Sequence, residues 1–170
     1  QTTDCIIIMT TNNHWIDNSQ RLAQLCAQLQ HATELAIDTE FMRSDTFFAK
    51  LALIQLSDGE QCWLIDTPAI EELQPLTQLL NAPQLTLVFH SCGEDLEVLD
   101  QVLSVRPKKL FDSQIAAGIV NIGFSMGYAR LVENMLQIEL GKEDTRSDWL
   151  ARPLSDRQKL YAADDVLYLF

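Results

Sequence analysis

The feature that most constrains the fold is a hairpin signal in the first half of the chain. Two apolar segments, residues 51–57 and 61–65, flank the turn sequence Asp58-Gly59-Glu60. Two apolar, strand-length segments joined by a short glycine-containing turn are typical of a β-hairpin. The sequence therefore predicts that these two segments are neighbouring antiparallel strands.

Strands and helices alternate on both sides of this hairpin. We expect further strands at residues 5–9, 34–41, 85–89 and 110–111. A helix is expected to begin at Asn18 or Ser19, and others cover residues 71–80, 94–103, 115–119, 128–137 and 155–170. This order predicts an α/β fold: a mixed sheet of five to six strands with one antiparallel hairpin and helices on both faces. The chain has 170 residues, 47% of them hydrophobic, and no break in composition, so residues 1–170 are expected to form a single domain.

Three carboxylates lie where predicted strands end. Asp38 and Glu40 follow the apolar run Leu35-Ala36-Ile37, and residues two apart on a strand point to the same face. These two side chains can therefore share one cation. Asp95 lies where a strand gives way to a helix, which is the usual place for site residues in open α/β sheets.

The last predicted helix carries Tyr161 and Asp165 within the sequence Tyr-Ala-Ala-Asp-Asp. Their spacing of four residues places both on one face of a helix. The neighbouring Asp164 points about 100° away. The spacing therefore selects Asp165 rather than Asp164 as the partner of Tyr161.

A cluster of carboxylates is the ligand type that Mg²⁺ prefers in proteins. Two such ions about 3.5–4 Å apart stabilise the attacking and leaving oxygens of an in-line phosphoryl displacement. We therefore predict a two-metal phosphodiesterase site in which Asp38 or Glu40 bridges the ions and Tyr161 orients the attacking water. Taken singly, each residue has a simpler explanation: a solvated strand end, an acid in a helix first turn, or a packed aromatic ring.

The sequence around these residues resembles the catalytic domain of ribonuclease D, within the 3′-5′ exonucleases named for four acids and a tyrosine. The similarity spans nearly the whole chain and rests on the segments Asp38–Arg43, Leu53–Leu56, His90–Leu99, Phe111–Ala117, Ser147–Leu154 and Tyr161–Leu169. The resemblance implies a ribonuclease H-like fold. It also implies that two divalent cations, Mg²⁺ or Mn²⁺, are held by the four acids Asp38, Glu40, Asp95 and Asp165, with Tyr161 as the water-positioning residue.

The activity that the resemblance implies is a 3′-5′ exoribonuclease that releases nucleoside 5′-monophosphates, with tRNA precursors as its substrates. Two alternatives stay open. The same chemistry could act on DNA, because a contact to the 2′-hydroxyl cannot be read from spacing. The other alternative is a non-catalytic nucleic-acid-binding domain on the same fold. The intact acids and tyrosine argue against it, because a domain without activity would tolerate their loss.

Six further residues are candidates for substrate binding. Phe41 and Met42 directly follow the first acids and could stack against the terminal base, with ordinary core packing as the alternative. His90 ends the central strand and could contact either the ligand or the protein backbone. A small group of cations precedes the last helix and could contact phosphates, or could lie in a solvated loop: Lys142, Arg146 and Arg152.

The formal net charge of −12 is unusual for a nucleic-acid enzyme, because phosphate contacts normally use Lys and Arg. We therefore expect this domain alone to hold RNA weakly. Relatives of ribonuclease D carry helical RNA-binding domains after the catalytic one, and we expect these to be absent from this chain. The expected partner is the single-stranded 3′ end of a structured RNA.

The remaining expectations concern the cell. No apolar run approaches the roughly 20 residues that a membrane span needs. The four cysteines, Cys5, Cys26, Cys62 and Cys92, are far apart, a pattern that favours buried, reduced thiols. We therefore expect a cytoplasmic monomer with no membrane association.

Overall fold

In the computed structural model, the described residues are 13–43, 48–141 and 147–170. They form a six-stranded sheet with the spatial order β1-β4-β3-β2-β5-β6. The strands are β1 (Asn13–Ile16), β2 (Glu34–Met42), β3 (Lys50–Ser57), β4 (Cys62–Ile65), β5 (Thr86–Phe89) and β6 (Lys109–Asp112). The helices are α1 (Ser19–Leu29), α2 (Gln74–Leu80), α3 (Gly93–Leu103), α4 (Ser113–Ile119), α5 (Tyr128–Leu136) and α6 (Asp156–Leu167), and a 3-10 turn covers Thr67–Ala69.

The predicted hairpin is confirmed, because β3 and β4 pair antiparallel. A second antiparallel pair accompanies this hairpin, because β3 is also antiparallel to β2 on its other side. The physical reason is the short connection between β2 and β3, since a parallel neighbour requires a crossover of a dozen residues or more. The remaining pairs, β1 with β4, β2 with β5 and β5 with β6, are parallel.

Most predicted elements are confirmed within a few residues, and two differences have physical causes. The edge strand β1 was not predicted, because its four residues include Asn13 and His14 and lack an apolar run. Helix α2 begins at Gln74 rather than at Glu71, with a proline in its first turn, where a fixed φ and a missing N–H cost least. The predicted strand at residues 5–9 lies outside the described residues.

The sheet separates two apolar layers, as the prediction of helices on both faces requires. One layer contains α1, α2 and α3 packed against residues such as Leu35 and Ile37 of β2. The other contains Ala162, Ala163 and Val166 of α6, packed on the face that includes Ala36. Side chains alternate along a strand, so the residues that continue the Ala36 face lie beneath α6. None of the described helices has the length and apolar composition that a membrane crossing requires.

The segment that leads into α6 is fixed to the sheet by Arg152. Its guanidinium Nη2 lies 2.6 Å from Asp66 Oδ1, and its Nε lies 2.9 Å from Asp66 Oδ2. The same group donates to the backbone carbonyl oxygens of Ala52 on β3 and of Trp149. Asp66 is only 4% exposed, so this ion pair is largely shielded from water. Arg152 therefore joins the segment before α6 to β3 and to the end of β4.

We expect Arg152→Met to destabilise the protein by about 3–5 kcal/mol, because it leaves the Asp66 carboxylate buried without its partner. Urea unfolding measures the loss. A suitable control is Arg21→Met, which removes an exposed pair with Asp17 and should cost less than about 1 kcal/mol. Equal losses in the two variants would show that the Arg152 pair does not hold this segment in place.

Candidate active site

The first half of the site is built by β2. Asp38 and Glu40 lie two residues apart, opposite Gln55 and Leu53 of β3, so they share the face that α6 covers. An irregularity in the pairing follows directly, between Glu40 and Phe41. Both carboxylates are partly buried. Strand geometry therefore presents two acids side by side at the edge of an otherwise apolar layer.

The second half of the site is built by α6. Ser155 caps this helix by accepting a hydrogen bond from the Gln158 N–H, and the Gln158 side chain accepts from the Ser155 N–H in return. This capping box fixes where the helix begins. Tyr161 and Asp165 follow on one face, while Ala162 and Ala163 pack against the sheet. The small alanine side chains allow the helix backbone to lie close to β2.

The two halves meet in a group of three carboxylates. One carboxylate oxygen from each of Asp38, Glu40 and Asp165 can be chosen so that all three lie within 4.8 Å of one another. This spacing suits a shared hard cation, which takes carboxylate oxygens as ligands. The structure thus brings together three of the four acids that the sequence analysis selected, from two elements 125 residues apart in sequence.

The fourth acid, Asp95, approaches from the opposite face of the sheet. It lies in the first turn of α3 and is only 8% exposed. The Thr39 hydroxyl donates to Asp95 Oδ1 at 2.5 Å. Thr39 was not singled out from the sequence, since a threonine inside a strand normally reads as a β-former. Its position between the two acids of β2 is the signal that could have found it.

Burial and like charge both act on these acids. The pKa of Asp38 is raised well above its ordinary range, first by burial and then by the carboxylates of Asp95, Asp165 and Glu40. The pKa of Asp95 is raised by burial, against the hydrogen bond from Thr39. Converging carboxylates hold protons unless a cation offsets their charge. The electrostatics of the cluster therefore favour a bound divalent cation.

Tyr161 lies next to this cluster. Its hydroxyl is hydrogen-bonded to the Asp165 carboxylate, and its pKa is raised by burial, by Asp165 and by Glu40. The phenol therefore keeps its proton at neutral pH and acts as a hydrogen-bond donor. The ring centroid of Trp149 lies 6.0 Å from that of Tyr161. This contact restricts the orientation of the tyrosine.

His90 is engaged by the protein on both ring nitrogens. Nδ1 lies 2.8 Å from Ser113 Oγ, and Nε2 lies 3.0 Å from the Met126 carbonyl oxygen. Because a carbonyl can only accept, Nε2 carries the proton. The pKa of His90 is lowered, chiefly by burial, so the ring is neutral. Of the two roles considered for His90, the structure supports contact with the protein rather than with substrate.

The other predicted substrate contacts are placed as follows. Phe41 packs against the α1–α3 layer with Arg43 over its ring, and Met42 packs against the α6 layer. Both keep part of their surface exposed. Arg152 is bound to Asp66, which differs from the predicted phosphate contact because the buried carboxylate requires a partner. Lys142 and Arg146 lie outside the described residues.

A pocket of about 220 Å³ opens beside Tyr161 and Asp165. Its lining combines apolar side chains with one cation and includes Tyr128, Leu140, Arg157 and Leu160. The Tyr128 hydroxyl donates to the Asp164 carbonyl oxygen at 2.9 Å and accepts from the Tyr168 N–H at 3.2 Å. Sequence reasoning missed these residues, because Tyr128 and Leu140 come next to α6 only in the folded chain.

The family model described as a 3′-5′ exonuclease matches residues 13–170, which is nearly the whole chain. The chain belongs to the 3′-5′ exonuclease family. The matched residues include the whole sheet, the three-carboxylate group and helix α6, which carries Tyr161. The ribonuclease H-like fold expected from the sequence is confirmed by the structures of similar exonucleases.

Similar proteins within this exonuclease family include ribonuclease D from Pseudomonas paraeruginosa, 46% identical over 91% of this chain and 41% of the relative. The crystal structure of Escherichia coli RNase D is 42% identical, with a TM-score of 0.89 over 94% of this chain and 42% of that one. The catalytic core of RRP6 from Trypanosoma brucei is 25% identical, with a TM-score of 0.86 over 95% of this chain and 45% of that one. This chain spans about two fifths of the length of the ribonuclease D relatives.

We expect Asp38→Asn to raise the melting temperature of the metal-free protein at neutral pH. A carboxyl whose folded pKa is raised binds its proton more tightly when folded, so its contribution to stability is lost as pH rises through the raised pKa. The neutral amide avoids this loss. The gain should disappear below the ordinary pKa of Asp, where the wild-type carboxyl is protonated in both the folded and unfolded states. Differential scanning calorimetry across this pH range measures the effect.

The control for this experiment is Glu133→Gln, which neutralises an exposed carboxylate on α5. This variant should change the melting temperature little at any pH in the series. If Asp38→Asn behaved in the same way, burial and the neighbouring carboxylates would not raise the pKa of Asp38 in the folded protein.

Proposed function

We propose that this domain is a divalent-metal-dependent 3′-5′ exoribonuclease that releases nucleoside 5′-monophosphates from RNA 3′ ends. The observation that carries the proposal is the convergence of Asp38, Glu40 and Asp165 within 4.8 Å, with Asp95 close enough for its charge to raise the pKa of Asp38. Membership of the 3′-5′ exonuclease family and the similarity to ribonuclease D support it. The E. coli relative, RNase D, is an exoribonuclease involved in structured RNA processing.

The residues fit two Mg²⁺ or Mn²⁺ ions, because all four donors are carboxylates and no Cys or His is among them. When bound, such ions supply a nucleophilic water and stabilise the charge on the leaving oxygen. Asp38 and Glu40, side by side on β2, and Asp165 opposite them form the central ligands. Asp95, held by Thr39, completes the set from the other face of the sheet.

Tyr161 would orient the attacking water by directing its one O–H to that water once the Asp165 carboxylate binds a cation. Burial raises the pKa of this phenol, and a protonated phenol is a hydrogen-bond donor. The contact with Trp149 restricts the orientation of the tyrosine ring. This role deepens the water-positioning function that the sequence resemblance implied.

The RNA 3′ end lies, in this proposal, between Phe41 and Met42 on one side and the pocket beside Tyr161 on the other. Stacking of a base on an aromatic side chain contributes about 1–3 kcal/mol. Arg157 lines the pocket and brings positive charge to it, whereas Lys142 and Arg146 remain candidates from the sequence. With a net charge of −12, the domain alone would hold RNA loosely.

The wider setting is also a proposal. We infer that this domain acts in the cytoplasm as a monomer on structured RNA such as tRNA precursors. Helical RNA-binding domains after the catalytic one, as the resemblance implies, would supply the contacts that this acidic domain lacks. Trimming of DNA 3′ ends is the competing activity, and a comparison of matched RNA and DNA oligonucleotides separates it from trimming of RNA.

Wild-type protein is expected to trim an RNA oligonucleotide with a free 3′ end in the presence of Mg²⁺ or Mn²⁺, and to leave a blocked 3′ end intact. Asp165→Asn should abolish this trimming, with a loss of at least about 10³-fold, because it removes a central ligand. Gel analysis of labelled RNA and matched DNA oligonucleotides measures both results and reports which sugar is preferred.

The matched control is Asp164→Asn, the adjacent carboxylate on α6, which lies outside the three-carboxylate group. It should retain most of the activity. Equal loss in the two variants would contradict the assignment of Asp165. Cleavage of the blocked RNA would indicate an endonuclease, and faster trimming of DNA would favour the competing activity.

Tyr161→Phe should lower kcat by about 10²–10³-fold while leaving metal affinity near the wild-type value. The substitution removes only the hydroxyl that positions the water, and an oriented hydrogen-bond donor typically contributes a factor of this size. Isothermal calorimetry with Mn²⁺ and single-turnover trimming measure the two quantities separately. A wild-type rate would mean that the tyrosine has only a packing role.

A further inference from the structure

Gln55 lies beside the candidate metal site but is not one of its carboxylate ligands. It is in the middle of β3 and is 0% exposed. In the sheet it lies directly opposite Asp38 of β2 on one side and Leu64 of β4 on the other. Residues directly opposite one another in an antiparallel pair point to the same face, with Cβ atoms about 4.5–5.5 Å apart. Gln55 therefore lies under α6, next to the Asp38 side chain.

The Gln55 amide has no hydrogen-bond partner among the described residues, on either its nitrogen or its oxygen. A buried polar group in this situation lowers the stability of the folded protein. Its neighbours on this face include the apolar side chains of Leu53 and Leu64, and a methionine would fill similar space without that cost. Packing alone therefore gives no reason for an amide at this position.

The other acids of the site show what such a neighbour can do. The Thr39 hydroxyl donates to Asp95, and in the metal-free protein the Tyr161 hydroxyl is hydrogen-bonded to Asp165. Asp38 receives a backbone hydrogen bond from Thr39. A carboxylate that binds a cation through one oxygen keeps acceptor capacity on the other, and an amide N–H₂ supplies two donors. Gln55 is placed to serve this second oxygen.

We propose that Gln55 is a positioning residue for Asp38: its amide N–H donates to the carboxylate oxygen that does not bind the cation and so fixes the orientation of the ligand. This inference rests on the proposed metal-dependent function. Hydrogen-bond partners of metal ligands typically contribute 10–100-fold in metal affinity or activity. The stability lost by burying the amide is then the cost of a correctly oriented ligand.

The test is Gln55→Met, which keeps the length of the side chain and removes its polar atoms. The metal-free variant should melt at the same temperature as the wild type or higher, because the unpartnered amide is gone. Its affinity for Mn²⁺, measured by calorimetry without RNA, should fall about 10–100-fold. In trimming assays kcat should fall while KM for RNA stays near the wild-type value.

Leu64→Met is the matched control, since it introduces the same side chain on the other side of Gln55 in the same layer. It should leave Mn²⁺ affinity and kcat unchanged. Wild-type Mn²⁺ affinity and kcat in Gln55→Met would overturn the proposal, and so would a clearly lower melting temperature, which would reveal a structural role for the amide. If the wild-type protein trimmed no oligonucleotide, the proposed function would fail, whereas the calorimetric comparison would still decide the role of Gln55.

Discussion

The close packing of α6 on the Ala36 face of β2 is the contact on which the site depends. Ala162 and Ala163 are fully buried at this contact, and their small side chains let the helix bring Asp165 to Asp38 and Glu40. The same contact is electrostatically unfavourable, because it brings carboxylates together where burial already raises the pKa of Asp38. The apolar layer under α6 and the anchors at its start oppose this repulsion until a cation offsets it.

Several polar contacts also hold α6 in its position on the sheet. The capping box at Ser155 fixes the beginning of the helix, and the Arg152–Asp66 ion pair fixes the segment before it. Near its end, the Tyr128 hydroxyl bridges Asp164 and Tyr168. On the opposite face of the sheet, Thr39 holds Asp95. The contacts around the site thus stabilise the fold, whereas the carboxylate cluster destabilises it in the absence of metal. This is expected where function competes with stability.

Much of this arrangement could be predicted from local spacing. The i, i+2 rule placed Asp38 beside Glu40, and the i, i+4 rule selected Asp165 over Asp164 within one turn of helix. Contacts between distant segments could not be predicted in this way. Arg152 looked like a phosphate ligand because nothing in the sequence links it to Asp66, 86 residues earlier. Likewise, Gln55 appeared to be an ordinary strand residue until the register placed it opposite Asp38.

The most direct test of the central claim is a crystal structure of the domain grown with Mn²⁺ and a nucleoside 5′-monophosphate, with anomalous scattering used to locate the ions. Two anomalous peaks about 3.5–4 Å apart, bound by Asp38, Glu40, Asp95 and Asp165, would support the two-metal account. A single peak, or ions bound away from the contact between β2 and α6, would contradict it.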